Sequence, residues 1–166
     1  MMKATEMIRR GLLFIDRFAL PIFEDVRDIA LVQPTPRGGN HPLWVIGHIA
    51  YSEGGITGMV HGDPNPLDGW EKMFAAGTEP TTAASDYPSF DEVLDGYRTM
   101  RARTLKMIAA LDDSDLDEAP KAASDEMLEF VPTIGETLMM VVIHQEFHLG
   151  QIADVRRTAG RKPLMV

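Results

Sequence analysis

Two histidines, His144 and His148, stand four residues apart in the run Ile143-His144-Gln145-Glu146-Phe147-His148-Leu149-Gly150-Gln151-Ile152. On a helix, positions i and i+4 share one face, one turn apart, so both imidazoles can point at one ion. Their surroundings are apolar, and an imidazole buried without partners costs free energy. Core hydrogen bonds and a metal would each satisfy the rings, and the pair alone does not decide between them. A third donor would decide, because catalytic zinc-type sites use three protein ligands and keep one position open. His48 is that third donor. It lies on a stripe of Trp44, His48, Tyr51 and Gly55, with spacings of four, three and four. Three imidazoles from two segments suit zinc, nickel, iron or copper, and ligand type alone does not choose. A bound ion can lower the pKa of water or of a thiol and hold the resulting anion.

The other candidate donors fit less well. His41, seven residues before His48, is about 10.5 Å away along a helix axis and reads as a rim or capping residue. His61 falls in a Gly-Asp-Pro loop and is expected in solvent. Glu53, five residues after His48, points to a different face and reads as an exposed charge or a partner behind the ligands. A zinc protease of the His-Glu-x-x-His kind is not expected from the register. Gln145 follows the first histidine, and Glu146 is displaced by about 100° around the helix. A ferritin-like di-iron site is excluded because no Glu-x-x-His occurs in the chain.

The elements that must position these donors are helices. Thr133 and Glu136 form a capping-box pattern, Pro132 stops the helix from extending backwards, and Gly160 and Pro163 mark its end, so the spacing predicts a helix over 133–159. Its inner stripe is Thr137, Val141, His144, His148, Gln151 and Val155. A second helix is predicted from about His41 to Val60, with Asn40 as N-cap and Pro42 in the first turn. It carries Gly47, Gly54, Gly55 and Gly58, each worth about 1 kcal/mol less than Ala in a helix, so tertiary packing must hold it. Residues 3–20 form an amphipathic first helix that Pro21 ends or kinks, with a further helical piece from Ile22 to Val32. Gln33 to Gly39 reads as a loop. Ser89 and Glu92 cap another helix, which runs to about Leu111–Asp113.

Between the second and third long helices, residues 61–88 form a link rich in Gly, Pro, Asp and Thr. Trp70 and Phe74 there make a sticky i, i+4 face for a short helix, a lid or a plug at the helix ends. A link of that length can run from one end of a bundle to the other, so the helices it joins need not be antiparallel. Residues 112–132 are acidic and irregular. Four amphipathic helices without strand alternation predict an all-α four-helix bundle, one domain over 1–166.

Bulk composition narrows the function. The chain has 166 residues, 45% of them hydrophobic, and a formal net charge of −9. General nucleic-acid binding is not expected, since phosphate contacts need basic patches. No apolar stretch reaches the roughly 18 residues of a membrane span. The opening residues lack the basic-then-apolar order of a secretion signal, so a cytoplasmic protein is expected. Cysteine is absent, so any thiol chemistry must use a substrate's sulfur.

The segments Asn40-His41-Pro42-Leu43-Trp44-Val45-Ile46-Gly47-His48-Ile49-Ala50 and His144-x-x-x-His148-x-Gly150-Gln151-Ile152 resemble the motifs of the DinB/YfiT-like family. The ending from Asp154 to Pro163 is similar to that family's C-terminus. The resemblance implies a four-helix bundle with an up-up-down-down arrangement and a long crossover between helices two and three. It also implies a divalent metal (zinc, nickel or iron) held at the positions of His48, His144 and His148, and a homodimer. Relatives include S-transferases that use low-molecular-weight thiols such as bacillithiol or mycothiol, a thiol-dependent isomerase, and a domain of ergothioneine-pathway enzymes. The expectation is a metal-dependent S-transferase in which the ion takes a thiol as thiolate for attack on an electrophile. Trp44, Tyr51 and Trp70 would shape the pocket wall. Arg101 would bind a substrate carboxylate or snorkel at the surface. The alternatives are a non-catalytic metal-binding stress-response bundle, a thiol-dependent isomerase and a metal-dependent hydrolase.

Overall fold

Three N-terminal caps set where the principal helices begin. In the computed structural model, which describes residues 1–36 and 38–163, helix α1 spans Ala4–Asp25 and α2 spans Pro42–His61. A short α3 covers Glu71–Phe74, and α4 covers Phe90–Ala109. Another short helix, α5, is Asp125–Phe130, and α6 is Ile134–Thr158. Among the described residues there is no strand, and the architecture is all-α. The Ser89–Glu92 and Thr133–Glu136 capping boxes both form, each satisfying reciprocal donors at a helix start. Single 3₁₀ turns at 68–70, 84–86 and 113–117 punctuate the links. The loop expected over 33–39 is observed except at Arg37, which lies outside the described residues.

Some boundaries differ from expectation. Of the end or kink expected at Pro21, the end does not occur: α1 runs through it to Asp25 and so takes in the start of the helical piece expected over 22–32, the remainder of which is turns. The loss of one backbone donor at Pro21 is outweighed by the next turn, which carries Phe23, fully buried with Val26 just beyond. The N-cap of α2 is His41 rather than Asn40, and its side chain accepts from the Trp44 amide at 3.1 Å. The acidic stretch 112–132 holds a 3₁₀ turn and α5 rather than being wholly irregular.

Contacts along the four long helices give their directions. On α1 and α4, Thr5 bonds Asp113, Asp16 meets Tyr97, and Arg27 meets Asp91, so the two run antiparallel. Glu53 meets Arg101, and a Cβ on Gly54 would touch Met100, while His61 shares a cleft with Lys106 and Ala110, so α2 and α4 run parallel. His48 faces His144 while Val60 clusters with Ile134, so α6 is antiparallel to α2. The order is therefore up-down-down-up, which corrects the expected up-up-down-down. Residues 26–41 lead across one end of the molecule to α2, which packs against α4 and α6 rather than α1, and the long link 62–88 carries the chain back to start α4 in the same direction as α2, as the link's length allows.

One hydrophobic cluster gathers Phe23, Trp44, Ile46, Phe74, Tyr97 and Ile152 around the upper half of α2. A second gathers Leu12, Val60, Ile108, Ile134 and Leu138 around its lower half. The glycines of α2 permit this closeness. A Cβ on Gly47 would overlap the Phe74 ring, and one on Gly58 would come within 2.6 Å of the Asp63 carbonyl. Gly55 is the exception: it is exposed, and the inward face at that level is carried by Glu53 and Gly54.

Candidate metal centre

Helix α2 presents His48 in its second turn, and α6 presents His144 and His148 on successive turns. Because the two helices pack antiparallel, the three rings converge. One nitrogen from each lies within 4.8 Å of the others. The ring centroids are 5.0 Å apart for His48 and His144, 4.6 Å for His48 and His148, and 4.5 Å for His144 and His148. His48 and His148 are buried, whereas His144 is half-exposed.

Hydrogen bonds fix the tautomer of His48. Its Nδ1 is 2.7 Å from the Phe74 carbonyl, which can only accept. A neutral ring has one N–H, so the proton sits on Nδ1 and Nε2 offers a lone pair. That Nε2 faces His144 Nε2 at 3.1 Å. His148 Nδ1 is buried with no hydrogen-bond partner. An orphaned imidazole nitrogen, a lone pair fixed by a carbonyl behind it, and a third ring within reach are what a divalent cation would satisfy. The donor set therefore fits a divalent metal ion, and the three side chains form a candidate metal site.

Electrostatics keep the donors neutral. Burial, then the neighbouring His148 and His48, push His144 down to about 4. Burial, then His48, push His148 down to about 4, with Gln151 opposing. Burial also lowers His48, against the Phe74 carbonyl. Neutral imidazoles are the form that binds metal.

The link 62–88 is fastened to the same end of α2. Besides the Phe74 contact, Trp44 Nε1 donates to Thr78 Oγ1 at 3.1 Å, and His41 Nε2 lies 2.9 Å from the Thr81 carbonyl. His41 is thus a capping residue, and burial lowers its pKa. His61 is exposed, as expected.

Of the three residues expected at the pocket wall and Arg101 expected within the pocket, Trp44 touches the cluster: its ring stacks on His48 with centroids 4.5 Å apart and planes 9° from parallel. Trp70 reaches the cluster only at second hand. It packs toward Gly96 and lies 5.2 Å from the Phe74 ring. Tyr51 is half-buried one turn beyond His48, and its backbone carbonyl accepts from Asn65. Arg101 is neither a surface residue nor free for a substrate. It is 3% exposed, and its Nε and Nη2 bond both Glu53 carboxylate oxygens at 3.1 and 3.0 Å. Asp16, the Leu12 carbonyl and Gln145 complete its shell. Burial opposes its charge, but Glu53, Tyr97 and Asp16 outweigh that and raise its pKa. Glu53, expected as an exposed charge or a partner behind the ligands, is 2% exposed and paired.

Gln145 is the residue that spacing did not single out. It donates to Tyr97 Oη at 2.6 Å, and Tyr97 donates to Asp16 at 2.5 Å. The network thus joins α1, α2, α4 and α6 at the level of His144. The available signal was charge at core-facing positions: Asp16, Glu53 and Arg101 each sit one helical repeat from buried apolar neighbours.

No curated protein matches the chain. The sequence profile of the DinB superfamily matches residues 19–152, a span that begins late in α1 and includes all three clustered histidines. With most of the chain covered, the protein belongs to the DinB superfamily.

Proposed function

We propose that the protein holds a divalent ion, zinc, nickel or iron, between His48, His144 and His148 and transfers the sulfur of a low-molecular-weight thiol to an electrophile. The observation that carries this reading is the convergence of three neutral imidazoles within 4.8 Å, one with an orphaned buried nitrogen. When bound, such an ion supplies positive charge that lowers the pKa of a thiol and holds the thiolate. The chain has no cysteine, so the sulfur must come from a co-substrate. In the net reaction the thiol loses its proton, a carbon–sulfur bond forms, and the electrophile's leaving group or strained ring accepts the displaced electron pair.

The chain's own residues supply the rest. The Phe74 carbonyl orients His48, Trp44 covers its face, and the Arg101–Glu53–Gln145 network holds α2 and α6 in register. His144, half-exposed, leaves one side of the cluster open to an incoming molecule, as a catalytic ion requires. The reading includes a single domain over 1–166 built as a four-helix bundle with its crossover between α2 and α4. It also includes a cytoplasmic location, pairing of two copies, and no nucleic-acid or membrane partner.

Burial of His48 and His148 favours the opposing reading, a non-catalytic bundle in which the ion stabilises the fold. Elemental analysis of tag-free protein, followed by a thiol-transfer screen, separates the two. Near-stoichiometric metal with thiol consumption supports the transferase. Metal with a large stability loss on chelation and no turnover supports the structural role. Metal-free protein that cannot be loaded rejects both.

A further inference from the structure

The half-exposed ring of His144 belongs to two surroundings. Inward it faces His48 and His148; outward it lines a cleft of about 460 Å³ between α5 and α6. That volume is in the range of small-molecule sites, roughly 300–1,000 Å³. The walls are apolar. Met139, Ile143 and Phe147 follow one another at i, i+4 and i+8 along α6, and Phe130 of α5 faces them across the cleft. Phe130, Ile143 and Phe147 are 73%, 63% and 71% exposed, an unusual placement for large hydrophobic side chains on consecutive turns. Met140 and Met139 add adaptable surface.

The charges on this surface discriminate. The lining contains one carboxylate, Glu136, and no lysine or arginine. Arg101, which reaches Gln145 beside His144, is spent on Glu53 and Asp16. Clefts lined by Lys or Arg lie elsewhere, one with Arg103 and Lys106 at the opposite end of α2, one with Lys3 and Arg9 beside the start of α1 and one with Arg157, and none of them includes any of the three clustered histidines. In a chain of net charge −9, a carboxylate or phosphate seated beside Glu136 would meet no compensating charge from the side chains of the cleft wall.

We propose that the cleft between α5 and α6 binds the non-reacting part of an uncharged, hydrophobic organic electrophile and delivers it past His144 to the histidine cluster. This rests on the metal-dependent transferase reading and adds to it the class of the electrophile. A molecule seated against Phe147 and Ile143 approaches the cluster from its one half-open side. A second copy of the chain on the same face would instead cover His144 and close that approach.

The test uses full-length, metal-free protein and the neutral fluorophore N-phenyl-1-naphthylamine. The expected result is saturable binding, weakened at least tenfold by Ile143→Glu and by Phe147→Glu. Phe14→Glu, at an exposed position on α1, should leave it unchanged. 2-Naphthamide should displace the fluorophore at least tenfold better than 2-naphthoate. Equal effects of all three variants, or preference for the carboxylate, overturns the proposal. So does absence of binding, including the case in which sedimentation shows a dimer that Phe147→Glu dissociates, which assigns the face to a second copy. The parent reading is measured separately, by metal content of the His48→Ala protein. Retained metal there removes the metal centre while leaving the fluorophore result to stand or fall alone.

Discussion

Each of the three clustered rings does something the other two cannot. His48 is held from behind by a carbonyl, His148 carries the orphaned nitrogen, and His144 opens to solvent. Replacing any one with Ala should lower bound metal at least tenfold by elemental analysis, since two imidazoles hold an ion far more weakly than three. The same rings set a pH dependence in the metal-free protein. His144 and His148 protonate at about 4 in the fold against an ordinary 6.5. Between those values the unfolded chain takes up more protons than the folded one, so stability is full above pH 6.5 and falls as pH drops toward 4. Urea midpoints at pH 7.5 and pH 5 should show the loss, and the double variant His144→Ala/His148→Ala should flatten it. Away from the rings, Arg101→Met strands the Glu53 carboxylate in the core and should cost about 3–5 kcal/mol, with Arg101→Met/Glu53→Met costing markedly less. Denaturant titration of the two variants checks this.

At the scale of elements, the α2–link contact is the most demanding. Gly47→Ala would drive a methyl into the Phe74 ring and shift the carbonyl that fixes His48. Overpacking of this kind costs about 1–3 kcal/mol. Here it should also weaken metal binding, whereas Thr133→Ala, which removes the α6 cap, should cost about 1 kcal/mol with metal affinity unchanged. Thermal melting and metal competition measured on both variants separate packing from capping. These elements were unequally legible. The helix starts at Ser89 and Thr133 could be read because their caps are local, and the His144/His148 face because helical period is local. Whether α1 ends at Pro21 or runs on, and that it stops at Asp25, could not, because that depends on what Phe23 meets across the core. The burial of Glu53 was illegible for a related reason. Its partner Arg101 is 48 residues away, and only the parallel packing of α2 and α4 brings them together.

The whole molecule places a long crossover, residues 62–88, against the end of α2 that carries His41, Trp44 and His48. Metal bound at the cluster stabilises the folded state by mass action, by about 4 kcal/mol at a free concentration a thousandfold above Kd. Chelation should therefore lower Tm, and limited proteolysis should then cut first within 74–81, where the link leans on His48. A chelator-treated protein cleaved at the same rate as the untreated one would detach the link from the cluster. The grip itself has a consequence for sequence drift. His41 and His48 clasp the carbonyls of Thr81 and Phe74, groups that every amino acid supplies. These two attachments therefore ask nothing of the side chains at 74 and 81, whereas the Phe74 ring in the notch over Gly47, the Thr78 hydroxyl that accepts from Trp44, Asn65 on the Tyr51 carbonyl and Trp70 on Gly96 tie the strap by side-chain identity.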